Sequence, residues 1–185
     1  PRLPTLAGLA RRGITAAALR GFWTELGITQ KDISVPLSTL YSHNTKAVDD
    51  QAPRLSFVRH PQRLDLNAHD AATVLQFPIH PNHPDQGQRR WELNTTGIWL
   101  EPEDAIKGDV RLKEYADVSI ENSKAALVSL DRSDRRPIVH WLPEQHAVEA
   151  VLMSTSGGEI TAIEGLVEPH NHPVGTIVQL ERIGY

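Results

Sequence analysis

Apolar side chains in the first fifty residues recur at the spacing of amphipathic helices. Thr5 can cap a first helix, Thr15 precedes a second, and a third starts after Pro36. The second helix carries one apolar stripe at i, i+3, i+4 and i+7, formed by Leu19, Phe22, Trp23 and Leu26. The pattern predicts a small α-helical subdomain over residues 1–50.

From Gln51 onward the pattern changes to the period of two that is typical of β-strands. Turn signals rich in Gly, Asn and Pro separate the strand-like runs, and no helical pattern lies between them. The runs are 55–58, 63–66, 73–79, 98–100, 110–113, 117–120, 125–130, 138–142, 148–153, 159–167 and 176–183. Many short strands at close spacing predict a mainly β protein, built as an antiparallel sandwich or barrel.

Composition narrows the class of protein. The 185 residues include 39% hydrophobic and 23% charged residues, a balance typical of one or two soluble globular domains. No apolar run approaches the roughly 20 residues that span a bilayer, and no Lys/Arg-led apolar leader is seen. We therefore expect a cytoplasmic protein with no membrane partner. The chain has no cysteine, which excludes disulfides, thiolate metal sites and cysteine nucleophiles.

Charge is distributed unevenly along the chain. The net charge of −4 argues against a protein that binds polyanions over its whole surface. Residues 1–50, however, carry six Lys or Arg against four Asp or Glu. A local basic face on an acidic protein is therefore compatible with the sequence. Because the chain opens with Pro1 rather than Met, we also expect it to be a piece of a longer protein.

Four segments, in order along the chain, are more specific than the pattern. They are Pro-Arg-Leu-Pro-Thr-Leu at 1–6 with Leu-Ala-Arg-Arg-Gly-Ile at 9–14, Ile-His-Pro-Asn-His-Pro-Asp-Gln-Gly at 79–87 with Arg89, Ile-Val-His-Trp-Leu-Pro at 138–143, and Val-Gln-Leu-Glu-Arg-Ile-Gly-Tyr at 178–185. Together they resemble the region that follows the ATP-binding signature loop in the class I glutamyl- and glutaminyl-tRNA synthetases. The chain is similar to the C-terminal, anticodon-binding region of that family.

The resemblance implies a particular fold. It consists of two antiparallel β-barrels, the ribosomal protein L25-like anticodon-binding fold, after the small α-helical subdomain of residues 1–50. Residues 51–97 together with 160–185 are expected to form the proximal barrel, and residues 98–159 the distal barrel. The strand near 179–185 is expected to return and pair beside the first strand.

The resemblance also implies that the parent protein attaches glutamate to tRNA, with ATP and Mg²⁺ as its cofactors. The His-Ile-Gly-His-like and Lys-Met-Ser-Lys-Ser-like motifs of the family's catalytic domain do not occur in this chain. We therefore expect no catalytic site and no cofactor here, and a catalytic domain upstream in the same polypeptide as a partner.

Two details favour the archaeal and eukaryotic-type glutamyl enzyme over the glutaminyl alternative. Leu-Tyr-Ser-His-Asn at 40–44 resembles the former, and the connections at 101–108 and after Met153 are short. The expected nucleic-acid partner is glutamate tRNA, with glutamine tRNA left open as a second partner.

Anticodon recognition requires cations or amides for phosphates and base edges, and planar groups for stacking. On an alternating strand Arg111 and Lys113 share one face about 7 Å apart, although from the residues alone a solvated strand face stays open. The resemblance assigns anticodon binding to Arg54, Arg111, Lys113, Gln179 and Arg182. Gln179 and Arg182 differ in parity, so a regular strand presents both on one face only with a bulge.

The dibasic pair Arg11 and Arg12 on the first helix is a further candidate. In the resembling family this subdomain packs on the inner side of the tRNA, so contact with the tRNA backbone is implied. The alternative is an ordinary exposed pair of arginines.

Two other functions stay open on the sequence: a stand-alone metal-dependent β-barrel enzyme and a module that docks proteins. His170-Asn171-His172 places two imidazoles on one face of an extended segment. A metal site needs three or four ligands, and the His pairs lie beside Pro, which is more typical of rigid turns, so no metal is expected. Trp23, Trp91, Trp99 and Trp141 lie within apolar runs, so core packing is expected for them rather than base stacking.

Overall fold

A computed structural model describes residues 5–28, 32–67, 74–93, 97–106, 108–132, 135–156 and 159–185. Residues 1–4 of the first family-like segment, Thr73 of a predicted strand and residues 94–96 lie outside this part. A helical segment comes first and a mainly β remainder follows, as predicted. In the described part of the chain, no helix is long and apolar enough to cross a membrane.

Three helices form the N-terminal subdomain: α1 Leu6–Arg11, α2 Ala16–Leu26 and α3 Leu37–Val48. The predicted caps are confirmed. The Thr5 hydroxyl accepts a hydrogen bond from Gly8 N–H at 3.1 Å, and the Thr15 hydroxyl accepts one from Ala18 N–H at 3.1 Å. Each bond satisfies a backbone donor that the first turn of a helix leaves unpaired.

The helices pack around a small core of Ile14, Ala18 and Leu40. Asn44 of α3 ties the connection between α1 and α2 to this core. Its side chain accepts from Thr15 N–H at 2.9 Å and donates to the Gly13 carbonyl at 3.0 Å.

The tryptophans divide between core and surface. Trp91 and Trp141 are buried as expected, and Trp99 is half-buried. The expectation of core packing is wrong for Trp23, which is 64% exposed. It lies at the margin of the apolar stripe of α2, where its ring makes an edge contact with Phe22 at a centroid distance of 5.5 Å.

The strands are β1 Arg54–Leu55, β2 Phe57–Arg59, β3 Gln62–Asn67, β4 Val74–Pro78, β5 Gln88–Glu92, β6 Gly97–Leu100, β7 Gly108–Leu112, β8 Asp117–Glu121, β9 Lys124–Ser129, β10 Ile138–Val139, β11 Trp141–Pro143, β12 Val148–Ser156, β13 Glu159–Val167 and β14 Gln179–Leu180. Period-two runs predicted every one of them except β5. Its sequence is polar apart from Trp91, the one fully buried residue of the strand.

Seven strands form one sheet in the order β10-β7-β8-β9-β3-β6-β11. The two end strands are consecutive pieces of one run, 138–143, interrupted only at His140, so the sheet nearly closes on itself as a barrel. The main core lies here, and Leu64, Leu112 and Trp141 within it are at most 1% exposed.

The expectation of antiparallel pairing holds for most ladders between described strands and is wrong for three. β1 pairs with β14, β7 with β10 and β3 with β9 in parallel, whereas the other ladders between described strands are antiparallel. Period-two patterning determines which face of a strand is buried, but not the direction in which its neighbour runs. Each parallel pair joins strands that are far apart in the chain, as parallel pairing requires.

β12 and β13 form a long antiparallel pair, and β13 also pairs with β2 in antiparallel orientation. Gly165 lies where β13 approaches β2, and a Cβ atom there would lie 2.6 Å from the Val58 carbonyl oxygen and 2.5 Å from the Phe57 ring. Only glycine permits so close an approach.

The predicted return of the C-terminal strand is confirmed, because Arg54 pairs with Gln179 and Leu55 with Leu180. The boundaries of the two predicted barrels stay predictions. Strand pairing crosses them: β3, in the proximal range 51–97, pairs with β9 of the distal range 98–159.

Candidate nucleic-acid interface

Two of the predicted anticodon-binding residues lie side by side where β1 pairs with β14. The Cα atoms of Arg54 and Gln179 are partners in this pair, and Gln179 N–H donates to the Pro53 carbonyl at 2.9 Å. The side chain of Gln179 is half-buried and makes no hydrogen bond or ion pair with any described residue. Its amide therefore keeps both a donor and an acceptor for an outside partner.

Arg54 is held in place by a carboxylate and a phenol. Its guanidinium lies 2.6 Å from Asp49 Oδ1 and 3.3 Å from the Tyr185 hydroxyl, which also hydrogen-bonds to Asp49. Burial alone lowers the pKa of Arg54, but the hydrogen bonds to Asp49 and Tyr185 outweigh it and raise the pKa. Hydrogen bonds from Tyr185 and Arg54 lower the pKa of Asp49. The side chain is therefore a fixed, charged fork.

Lys113 belongs to a cluster of polar side chains around a buried carboxylate, which we call the Glu181 junction: Glu181, Lys113, Arg89 and His140. Lys113 Nζ lies 2.6 Å from Glu181 Oε1, and Arg89 reaches the same oxygen at 3.3 Å. His140 Nδ1 lies 3.1 Å from Glu181 Oε2. The junction joins β5, the end of β7 and the break between β10 and β11 to the C-terminal segment.

Opposing effects act on the Glu181 carboxyl, which is 8% exposed. Burial raises its pKa, but the close contact with His140, the hydrogen bond from Lys113 and the charges of Lys113 and Arg89 outweigh that effect. The pKa is held well below its ordinary value, so Glu181 stays ionised.

Arg89 extends the junction to a second buried carboxylate, Glu168. Arg89 donates to Glu168, which also accepts from Ser56 N–H at 2.7 Å and from Trp91 Nε1–H at 2.9 Å. Both carboxylates are fully supplied with donors, as buried charges require.

Arg111 shares parity with Lys113, as predicted, but the two side chains have different partners. The Arg111 guanidinium lies 2.7 Å from Asp117 Oδ1 and donates to the carbonyl oxygens of Tyr115 at 3.4 Å and Leu130 at 3.3 Å. Lys113 instead reaches Glu181. In this structure the two cations therefore contact different carboxylates and do not form one shared binding site.

At Arg182 the chain forms a turn rather than a regular strand. Its backbone is left-handed, with φ at 67°, and Leu180 N–H donates to the Gly184 carbonyl at 2.8 Å. The chain thus turns after two paired residues, so β14 is shorter than the predicted run. The guanidinium of Arg182 contacts Asp104 and lies 4.0 Å from Glu101 Oε2.

Arg11 and Arg12 line a groove of about 660 Å³ between the helical subdomain and the C-terminal end of the chain. The guanidinium of Arg12 lies over the ring of Tyr41, 5.5 Å from its centroid, and donates to its hydroxyl. Both arginines are exposed on the groove, as contact with a phosphate backbone requires.

Comparison with known proteins determines the family to which this arrangement belongs. Two family models, both described as tRNA synthetases class I (E and Q), anti-codon binding domain, match residues 52–131 and residues 138–185. The chain belongs to this anticodon-binding family. The first model covers Arg54, Arg111 and Lys113, and the second covers Gln179 and Arg182, while Arg11 and Arg12 lie outside both.

Curated relatives agree with this anticodon-binding family. Glutamate–tRNA ligase of Archaeoglobus fulgidus is 32% identical over 190 residues, which cover 100% of this chain and 33% of the relative. Glutamate–tRNA ligase of Haloquadratum walsbyi is 34% identical over 196 residues, which cover 100% and 33%. That of Caldivirga maquilingensis is 30% identical over 199 residues, which cover 99% and 34%. The chain spans about a third of the length of these relatives.

The alternative of a metal-dependent enzyme requires a cluster of metal-ligating side chains. His170 and His172 stack with ring centroids 5.4 Å apart. Among the residues that the structure describes, no group of three or more His, Cys, Asp or Glu side chains is placed to hold a metal ion.

Sequence reasoning missed Glu181, Arg89 and His140 of the Glu181 junction and the neighbouring Glu168. Glu181 carried a signal, since it follows the apolar Leu180 within a segment quoted for its family resemblance, and a charged residue on a buried strand requires a partner. The identity of that partner was not readable, because Lys113 and Arg89 are distant in the chain.

Proposed function

We propose that the chain is the anticodon-binding region of a glutamate–tRNA ligase, which attaches glutamate to tRNA with ATP and Mg²⁺ in a catalytic domain upstream in the same polypeptide. The observation that carries the proposal is the match of essentially the whole chain to glutamate–tRNA ligases from several archaea. Glutamine tRNA has no support as a second partner, because the matched relatives carry the name of the glutamate enzyme. In the same proposal the protein acts in the cytoplasm.

In this proposal Arg54, Arg111, Lys113, Gln179 and Arg182 contact the anticodon. Planar guanidinium forks suit base edges, Lys113 suits a phosphate, and the Gln179 amide suits a base edge. Carboxylates of the same chain hold the cations in fixed positions, which lowers the entropy lost when RNA binds. Arg11 and Arg12 contribute sequence-independent contacts with the tRNA backbone.

The proposed architecture has two barrels of the ribosomal protein L25-like type. The nearly closed seven-stranded sheet supports one of them. The pairs β1–β14 and β4–β5 and the sheet β12-β13-β2 supply strands for the other. The Glu181 junction would then join the two, because it connects β14 and β5 to β7.

Two assays test the proposal together. The full protein should charge glutamate tRNA in the presence of ATP, whereas this chain alone should show no ATP–pyrophosphate exchange, since it lacks both class I signatures and has no Gly-rich phosphate loop opening a helix. Glutamate-dependent exchange by this chain alone would contradict the assignment. So would charging that ignores replacement of the anticodon.

A further inference from the structure

A cleft of about 210 Å³ opens between β1, β5 and the turn that follows β13. Of the five predicted anticodon-binding residues, only Arg54 lines it. Glu168 is the one carboxylate among the described residues of its wall, and Arg89, Ser56 and Trp91 already occupy that carboxylate. The cleft therefore presents cationic, amide and imidazole groups without a free anion.

Four polar side chains on the wall have unused hydrogen-bonding capacity. Gln88, His170, Asn171 and His172 make no hydrogen bond or ion pair with any described residue. The four cations predicted to bind the anticodon, in contrast, each contact a carboxylate. Amides and imidazoles that face a cleft without a protein partner are the groups a polar ligand can use.

The two histidines add a flat surface. Their rings lie nearly parallel, at 22° with centroids 5.4 Å apart. Single-stranded bases stack on planar side chains of this kind, and histidine is among them. Leu55 and Ile79 supply apolar contacts in the same cleft.

The size of the cleft limits what can enter. At about 210 Å³ it is smaller than the roughly 300–1,000 Å³ pockets of drug-sized ligands. A single heterocycle fits this class of cleft, whereas a duplex or a folded peptide does not.

We propose that this cleft holds one unstacked base of the tRNA anticodon loop, stacked on the His170–His172 pair and hydrogen-bonded by Gln88 and Asn171. The inference rests on the proposed function and adds a base subsite to it. Arg54, which also lines the cleft, connects this subsite to Gln179, its partner in the β1–β14 pair.

A thermodynamic cycle between protein and RNA tests the subsite. Glutamate tRNA is prepared with one abasic nucleotide at each anticodon-loop position in turn, and dissociation constants are measured for the wild type and for the double variant H170N/H172N. Asparagine keeps a polar side chain but removes the flat ring. The control is H60N, because His60 is exposed, lies on the turn between β2 and β3 and has a left-handed φ of 47° that asparagine tolerates.

At one loop position we expect removal of the base to weaken wild-type binding about tenfold, within the range of base–aromatic stacking. The double variant should bind intact tRNA about tenfold more weakly than the wild type does. Removal of that base should then weaken binding by the double variant less than about twofold further, because the stacking contact is already lost. H60N should behave as the wild type, and circular dichroism should show all three proteins equally folded.

Two results would overturn the inference while leaving the proposed function intact. One is that, at every loop position, the affinity lost through the double variant and the affinity lost through removal of the base multiply independently. The other is a double variant that binds intact tRNA as tightly as the wild type while preference for the cognate anticodon persists. Wild-type binding that is indifferent to the anticodon would overturn the proposed function first, and the subsite with it.

Discussion

Arg54, Arg111, Lys113 and Arg182 each contact a carboxylate of their own chain, so none presents a bare charge to RNA. The carboxylates have two consequences. They hold each cation in one orientation, and they offset part of the attraction to phosphate, which lowers non-specific binding. With these cations paired and a net charge of −4, the chain does not present the strongly basic surface that is typical of non-specific polyanion binders.

Substitution of Gln179 tests recognition of a base edge without changing the charge of the protein. Gln179→Ala should cost about 1–3 kcal/mol of binding at one anticodon position and leave the salt dependence unchanged, because no charge is removed. The measurement is the dissociation constant for cognate tRNA and for single-position anticodon variants at several salt concentrations. Equal affinity of Gln179→Ala and the wild type for every tRNA would remove Gln179 from the site.

Lys113 should behave in the opposite way. Lys113→Ala should weaken all tRNAs alike and flatten the salt slope by about one unit, since a compact ammonium group binds phosphate as a point charge. Glu181 keeps Arg89 and His140 as partners, so the variant should stay folded. A loss confined to one anticodon base would instead make Lys113 a base-reading residue, as we expect for Arg54, Arg111 and Arg182.

Glu181 links the site to pH-dependent stability. Its pKa is lowered in the folded chain, so its contribution is fully present above the ordinary pKa of a glutamate, near 4, and is lost as pH falls towards the folded value. Glu181→Gln should lower the free energy of unfolding at pH 7 by roughly 3–5 kcal/mol, the cost of breaking a buried ion pair.

Urea unfolding of wild type and Glu181→Gln between pH 7 and pH 3 checks this linkage. The difference between the two proteins should shrink as pH falls below about 4. A difference that stays constant over this range would show that Glu181 stabilises the chain by packing alone.

At the scale of elements, local sequence signals predicted the helix caps, whereas they did not predict the pairing of distant strands. Thr5 and Thr15 were readable as caps because a cap bonds to a backbone group within the first turn of its own helix. β5 was missed because only Trp91 is fully buried in it. The parallel β3–β9 pair depends on which strands meet in the barrel, and no periodicity within either strand carries that information.

The junction of β13 with β2 offers a test of the strand packing. Gly165→Ala would place a Cβ atom 2.6 Å from the Val58 carbonyl oxygen and 2.5 Å from the Phe57 ring, so the two strands would have to separate. We expect a loss of about 1–3 kcal/mol in the free energy of unfolding, as for other overpacked positions. Thermal unfolding measures it, and an unchanged melting temperature would contradict the β13–β2 register.

On the scale of the whole molecule, the C-terminal segment connects elements that are distant in the chain. β14 completes β1, Glu181 reaches β5, β7 and the break in the 138–143 run, and Arg182 reaches Asp104. The segment thus brings Gln179 beside Arg54 and Glu181 beside Lys113, whereas the partners of Arg111 lie outside it. The family resemblance identified those positions, whereas their carboxylate partners follow from the fold and were not predicted.

Recognition of the anticodon by these residues is tested most directly by one binding measurement. Dissociation constants are determined for the chain with glutamate tRNA and with the same tRNA carrying a replaced anticodon, at low and at physiological salt. We predict binding about tenfold or more tighter for the cognate anticodon, a ratio that persists as salt weakens both complexes. Equal affinity for the two tRNAs at both salt concentrations would contradict the claim.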